Sequence, residues 1–88
     1  MKKWKVEVTQ QDIDAGLPAH PRKCPVACAM MRAGLGDPFV NYGGILFYDR
    51  RGARRWCELP RNARSFMGTF DAYGRGRVAP FTLELVQS

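Results

Sequence analysis

The segment KWKVEVT, residues 3–9, alternates apolar and polar side chains, with Trp4, Val6 and Val8 forming the apolar set. Successive side chains of a β-strand point to opposite faces of the sheet, so this pattern predicts a half-buried strand. Residues 81–86, FTLELV, repeat the alternation near the other end of the chain. Because the termini of small domains often lie close together, we expect these two strands to be neighbours in one sheet.

Apolar side chains at three- and four-residue spacing predict two helices between these strands. One begins at Cys24-Pro25, since proline tolerates the first helical position. Its apolar stripe is Val26, Ala29, Met30 and Ala33. The other begins at Pro60, and its stripe is Ala63, Phe66, Met67 and Phe70. A shorter helix is predicted over residues 10–15, where Thr9 and Asp12 form an N-terminal capping pattern.

The middle of the chain predicts a β-hairpin. Residues 39–48 are rich in aromatic and branched side chains, and Gly43-Gly44 marks either a turn or a bulge within them. Residues 49–52, DRRG, have Asp first and Gly last, which is typical of a tight turn, and residues 54–59 form the return strand. The predicted fold is a single α+β domain over residues 1–88, ordered β-α-β-β-α-β. Its antiparallel or mixed sheet forms a single layer covered on one side by two helices.

The net charge of +6 is concentrated in residues 50–77. This segment contains eight arginines, two acids and no lysine, whereas the rest of the chain is balanced. The eight are Arg50, Arg51, Arg54, Arg55, Arg61, Arg64, Arg75 and Arg77. A guanidinium group binds phosphate and carboxylate through a planar fork and stacks on aromatic rings. The segment therefore predicts an anionic partner.

The return strand predicts which side chains would meet that partner. If Cys57 and Leu59 point inward, Arg54 and Trp56 share the outward face. A surface tryptophan beside arginines is typical of a contact surface. The opposite strand phase stays open, with Trp56 inward and Arg55 passing the edge of the core. The predicted partner-binding residues are Arg50, Arg51, Arg54, Trp56, Arg61 and Arg64.

Composition and terminal pattern favour a cytoplasmic protein with no membrane partner. No apolar run approaches the roughly 18–20 residues of a membrane span, and no apolar run of about 7–15 residues follows the basic N-terminus as in a signal peptide. Three cysteines are an odd number, which fits a reducing compartment better than a disulfide scaffold.

One histidine and three cysteines could in principle bind zinc. They are His20, Cys24, Cys28 and Cys57. The two-residue spacing of zinc knuckles is absent, and Cys28 and Cys57 fall on predicted apolar faces, where a free cysteine behaves as a small hydrophobe. The sequence therefore predicts neither a metal nor another cofactor.

Cys24 is the most reactive thiol that the sequence suggests. At a helix N-terminus, and next to Arg22 and Lys23, its pKa is expected to be lowered. A nucleophile also needs a positioned base, and His20 is the only imidazole. The alternative is that Cys24 only caps the helix. No paired carboxylates, nucleophile elbow or phosphate-binding loop accompanies it, so the chain is predicted not to be an enzyme.

Several short segments resemble a family of small, mostly uncharacterised phage and prophage proteins. They are KCPVACA at residues 23–29, ELP at 58–60, RSF at 64–66, FD at 70–71 and PFTLEL at 80–85. The resemblance implies a cytoplasmic protein that binds and inhibits a host complex, in an anti-CRISPR-like role or on transcription or replication machinery. Many relatives carry a further cysteine before the Cys-Pro pair, where this chain has Pro21 and Arg22, which weakens a metal or redox role.

Two functions follow for the arginine-rich segment. The first is inhibition of a host protein or protein–nucleic-acid complex through an acidic surface on that target. The alternative is direct nucleic-acid binding by the same residues, which would show a steep dependence of affinity on salt.

Overall fold

The computed structural model describes residues 1–87. These residues form an α+β fold of three α-helices, a 3₁₀ turn and five strands. In chain order they are β1 (Lys2–Val8), α1 (Gln10–Ala15), α2 (Pro25–Arg32), β2 (Gly36–Asn41), β3 (Gly44–Tyr48), β4 (Arg54–Cys57), α3 (Arg61–Tyr73), the 3₁₀ turn (Arg75–Arg77) and β5 (Phe81–Gln87). The predicted fold class is confirmed, while Ser88 of the predicted domain lies outside the described residues.

The terminal strands β1 and β5 pair antiparallel, as the alternation predicts. Trp4 lies opposite Leu85 and Val6 lies opposite Leu83. All four side chains are buried, so the apolar faces of both strands point into the same core. The register follows from that burial, because a slip of one residue would turn these side chains to solvent.

The strands form two sheets rather than the single layer that the sequence predicts. The diglycine is a turn and not a bulge, so this part of the chain forms two strands where the predicted order has one over residues 39–48. The side chain of Asn41 accepts hydrogen bonds from the backbone amides of Gly43 (2.8 Å) and Gly44 (3.0 Å). Residues 36–48 therefore fold into the hairpin β2–β3, and β4 completes a three-stranded antiparallel sheet.

Side chains connect β4 to β5 at the junction of the two sheets. Nη1 of Arg55 donates to Oε1 of Gln87 at 2.9 Å, and Nε2 of Gln87 donates to the Trp56 carbonyl at 3.4 Å. The three-stranded sheet, in the order β2-β3-β4, thus ends beside the two-stranded sheet without a continuous backbone ladder.

One hydrophobic core lies between the sheets and the helices. Trp4 of β1 packs edge-to-face on Phe47 of β3, with ring centroids 5.1 Å apart, and so joins the two sheets. Phe66 of α3 lies 4.6 Å from the ring of Phe81 on β5. The apolar stripes of both long helices are largely buried, as predicted. Full burial of one such side chain contributes about 1.5–3 kcal/mol.

The short helix α1 is held by its cap and by a contact from α2. The Thr9 amide donates to Oδ2 of Asp12 at 2.9 Å, and the Thr9 hydroxyl accepts from the Asp12 amide, which completes a capping box. Nη2 of Arg32 donates to the same Asp12 oxygen at 2.8 Å. Burial raises the pKa of the Asp12 carboxyl, but the hydrogen bonds from Arg32 and Thr9 outweigh burial and the net pKa is lowered.

Candidate anion-binding face

The turn between β3 and β4 is built around one carboxylate. Oδ1 of Asp49 accepts the backbone amides of Arg51 and Ala53, both at 2.9 Å. Gly52 has a φ of +83°, a conformation that favours glycine. These interactions confirm the predicted turn and place Arg50 and Arg51 at its exposed tip.

The strand phase of β4 puts Trp56 outside. Cys57 is 1% exposed and Leu59 is 4% exposed, whereas Trp56 is 48% exposed. Arg54 lies opposite Tyr48 in the β3–β4 register, and its guanidinium carbon is 5.9 Å from the centre of the tyrosine ring. The alternative phase, with Trp56 in the core, is therefore excluded.

Gly44 leaves room for the Trp56 ring. A Cβ atom at residue 44 would lie only 2.6–2.7 Å from Cζ2, Nε1 and Cε2 of the indole, so the edge of the ring occupies the space of a side chain. Gly44 is buried beneath this edge, while about half of the tryptophan stays accessible. The ring therefore lies against the backbone at Gly44, and a side chain at this position would displace it.

Arg55 has a structural role that separates it from its neighbour Arg54. Its Nε donates to Oδ2 of Asp49 at 2.9 Å, and its guanidinium lies 5.7 Å from the centre of the Trp4 ring. Asp49 has a lowered pKa because it accepts the Ala53 amide and the Arg55 side chain. Arg55 therefore passes the edge of the core, as one sequence interpretation expects, although Trp56 points outward.

The six predicted partner-binding residues are all exposed, but they fall into three groups. Arg54 and Trp56 share the outer face of the three-stranded sheet, and Arg50 and Arg51 occupy the turn. Arg61 lines a groove with Trp56, and Arg64 lies three residues further along α3. Within residues 1–87, none of these five arginines forms an ion pair with an acidic side chain. We refer to the six residues together as the arginine face.

The structure adds neighbours that the sequence interpretation missed. Arg22 and Phe39 line a hollow of about 260 Å³ next to Tyr48 and Arg54, and the Arg22 guanidinium lies 5.2 Å from the centre of the Phe39 ring. Lys2 and Lys3 of β1 lie beside the β3–β4 turn. No local pattern could reveal these neighbours, because they come from distant parts of the chain.

Burial determines the chemistry of the cysteines. Cys24 is 2% exposed, and burial raises the pKa of its thiol above the ordinary value, outweighing the backbone hydrogen bonds at the start of α2. The expected lowering of this pKa is therefore wrong. Burial also raises the pKa of Cys57 and, together with the nearby Asp12 charge, that of Cys28. Within residues 1–87, no three His, Cys, Asp or Glu side chains are grouped to hold a metal ion.

None of the helices formed by residues 1–87 is long and apolar enough to cross a membrane. Comparison of the chain with models of protein families, with curated proteins and with solved structures finds no match. The resemblance to small phage proteins therefore stays a prediction.

Proposed function

We propose that this protein acts by binding, without catalysis, and that its arginine face docks on an anionic macromolecule. The observation that carries the proposal is the outer side of the three-stranded sheet. There Tyr48 and Trp56 lie beside Arg54, which no acid within residues 1–87 neutralises. An unpaired guanidinium group beside exposed aromatic rings supplies both charge attraction and apolar contact area.

The first partner class is a host protein or protein–nucleic-acid complex with an acidic surface. Trp, Tyr and Arg are the residue types that dominate the energy of protein interfaces, and Trp56 is about half exposed where its ring lies against Gly44. Occupying a functional surface of the complex would inhibit it. The resemblance to phage proteins implies host defence, transcription or replication complexes as targets.

Direct nucleic-acid binding is the second candidate, and a separate observation favours it. Two arginine–aromatic contacts line one hollow of the three-stranded sheet, Arg54 on Tyr48 and Arg22 on Phe39; Arg22 pairs with Asp37, whereas within residues 1–87 Arg54 pairs with no acid. Sheets with exposed aromatic side chains stack unpaired bases, while arginines neutralise the phosphates.

Capture from a bacterial lysate by the tagged protein tests the proposal. Reversal of Arg50, Arg51 and Arg54 to Glu should abolish capture, because attraction becomes repulsion. A matched variant reverses three exposed cations on other elements, Lys5, Lys23 and Arg75. It has the same net charge and should retain capture.

Circular dichroism and the melting temperature establish that both triple variants are folded. Nuclease treatment of the lysate then separates the partner classes, since capture that survives nuclease indicates a protein. If the folded Arg50/Arg51/Arg54 variant captures its partner as well as the wild-type protein does, the arginine face is only a solvated surface and the proposal is wrong.

A further inference from the structure

A cleft of about 360 Å³ lies between the start of β1 and the β3–β4 turn. Its walls include four cationic side chains from two distant segments. These are Lys2, Lys3, Arg50 and Arg51. Trp4 and Phe47 bring the segments together, because their edge-to-face contact in the core fixes β1 beside the end of β3. The positive charge of the N-terminal lysines is thereby added to that of the turn.

The one acid among the residues that line this cleft is already neutralised. Both oxygens of Asp49 are engaged, Oδ1 by two backbone amides and Oδ2 by the Arg55 guanidinium. Arg55 is not among the residues that line the cleft, so Asp49 receives its counter-charge from outside the set of four cations.

The four cations are available to a ligand. Lys3 lies 3.8 Å from a Glu84 oxygen, and both side chains are about half exposed, so this pair is long and weak. Nε of Arg50 donates to the Ala33 carbonyl at 3.1 Å, which orients the guanidinium. Within residues 1–87, neither Lys2 nor Arg51 forms an ion pair.

We propose that this cleft binds the phosphodiester groups of single-stranded nucleic acid, whose bases stack on the adjoining arginine face. The inference rests on the proposed function, since the two share Arg50 and Arg51, and it selects nucleic acid as the partner. Exposed Tyr48 and Trp56 rings can stack only on unpaired bases, which excludes a regular duplex as the preferred ligand. An open cleft with four separate cations suits successive phosphates along a strand better than one enclosed ion.

Fluorescence anisotropy with a labelled oligothymidylate of about 20 nucleotides, in a series of KCl concentrations, tests the inference. The variant Lys2→Gln/Lys3→Gln removes two cleft charges and leaves the sheet face intact. Each single-strand phosphate neutralised contributes about 0.7 to the slope of log affinity against log salt, so this variant should flatten the slope by about 1.4. Lys5→Gln/Lys23→Gln has the same net charge and should keep the wild-type slope.

Inorganic pyrophosphate serves as the competitor that distinguishes a strand from free phosphate. Wild-type protein should release the oligonucleotide only at a large molar excess of pyrophosphate. Displacement at equal phosphate concentration would overturn the assignment to a nucleic-acid strand. Identical slopes of log affinity against log salt for the two lysine variants would also overturn it, provided that both variants keep the wild-type melting temperature.

The two proposals fail in distinguishable ways. If oligothymidylate does not bind, yet a nuclease-resistant protein is captured from lysate and lost in the Arg50/Arg51/Arg54 variant, the cleft inference is wrong and the proposed function stands. If neither ligand is bound, both are wrong.

Discussion

The outer faces of the two sheets differ in whether their cationic side chains have acidic neighbours. On the two-stranded sheet, Lys5 lies directly opposite Glu84, and Lys3 lies 3.8 Å from the same carboxylate. On the three-stranded sheet, the outward positions of β3 and β4 hold Tyr48, Arg54 and Trp56, together with the half-buried Leu46, and no carboxylate.

The difference shows that the net charge of this protein is not spread over its surface. Lys5 and Glu84 form a cross-strand pair of opposite charge, so this part of the two-stranded sheet carries its own counter-charge. On the three-stranded sheet, Asp37 of β2 pairs with Arg22 and Asp49 pairs with Arg55, but within residues 1–87 no acid pairs with Arg54, so ions or a partner must balance its charge. Predictions about partner capture therefore concern the three-stranded sheet, and Lys5 of the two-stranded sheet, which lies opposite Glu84, supplies a control.

The largest expected effect is a loss of stability on truncating Phe66, a buried side chain of the core that both sheets share. Phe66→Ala should destabilise the protein by about 3–5 kcal/mol, because the buried ring packs against Phe81 of β5 and stacks with Phe70. Chemical denaturation measures the loss. Tyr73→Ala, which truncates an exposed ring on the same helix, is the control. A fall of only a degree or two in the melting temperature of the Phe66 variant would contradict the assignment.

Single charge reversals compare the two faces directly. Arg54→Glu should weaken partner capture about tenfold or more, because it places a carboxylate beside Tyr48 on the proposed contact surface. Lys5→Glu makes the same change in charge on the two-stranded sheet and should leave capture within about twofold, although it repels Glu84 and costs a few tenths of a kcal/mol. Equal losses in the two variants, measured by titration of the captured partner, would remove the distinction between the faces.

Acid should weaken the hairpin that supports the second face. The pKa of Asp49 is lowered in the folded protein, so the unfolded chain takes up this proton at a higher pH than the folded chain does. The stability that the ionised Asp49 contributes is therefore fully present above the ordinary Asp pKa of about 3.9. It is lost as the pH falls towards the lowered pKa of the folded protein. Asp49→Asn should flatten the fall of melting temperature between about pH 5 and pH 2. Asp12, whose pKa is also lowered, accounts for part of the fall that remains, and an equally steep fall in the variant would show that Asp49 contributes nothing to it.

Gly44→Ala should produce the smallest and most selective effect. The added methyl group would collide with the indole edge, but Trp56 is half exposed and can move, so stability should change by less than about 0.5 kcal/mol. Capture should fall a few-fold, because the displaced ring no longer lies where it contacts the partner.

Gly68→Ala is the matched control for that substitution. It adds the same methyl group to an exposed helical position with open space around it, and it should raise stability by about 0.5–1 kcal/mol without affecting capture. Unchanged capture by a folded Gly44 variant would mean that the position of the ring is unimportant for binding.

Much of the fold follows from patterns within short segments. The alternation in residues 3–9 and 81–86, the stripe from Ala63 to Phe70 and the turn at residues 49–52 all appear where the sequence predicts them. Each depends on the period of a helix or strand, or on the conformational preference of a few adjacent residues. Part of the candidate site also depends on a pattern within a short segment, since Cys57 and Leu59 point inward and Trp56, next to Cys57, therefore points outward.

The incorrect expectations concern environments that several segments create together. The pKa of Cys24 depends on burial by other elements, which outweighs the start of its own helix. The division into two sheets depends on how β4 meets β5, where side chains replace a backbone ladder.

The sequence by itself determined the two terminal strands, the two buried helix stripes and the concentration of arginine between residues 50 and 77. Only the tertiary structure decided that Arg55 pairs with Asp49 while Arg54 lies on the Tyr48 ring. It also decided that Lys2 and Lys3 line one cleft with the turn arginines. The reason is physical. Helix and strand periods act over a few residues, whereas burial and charge pairing depend on which faces meet after the chain has folded.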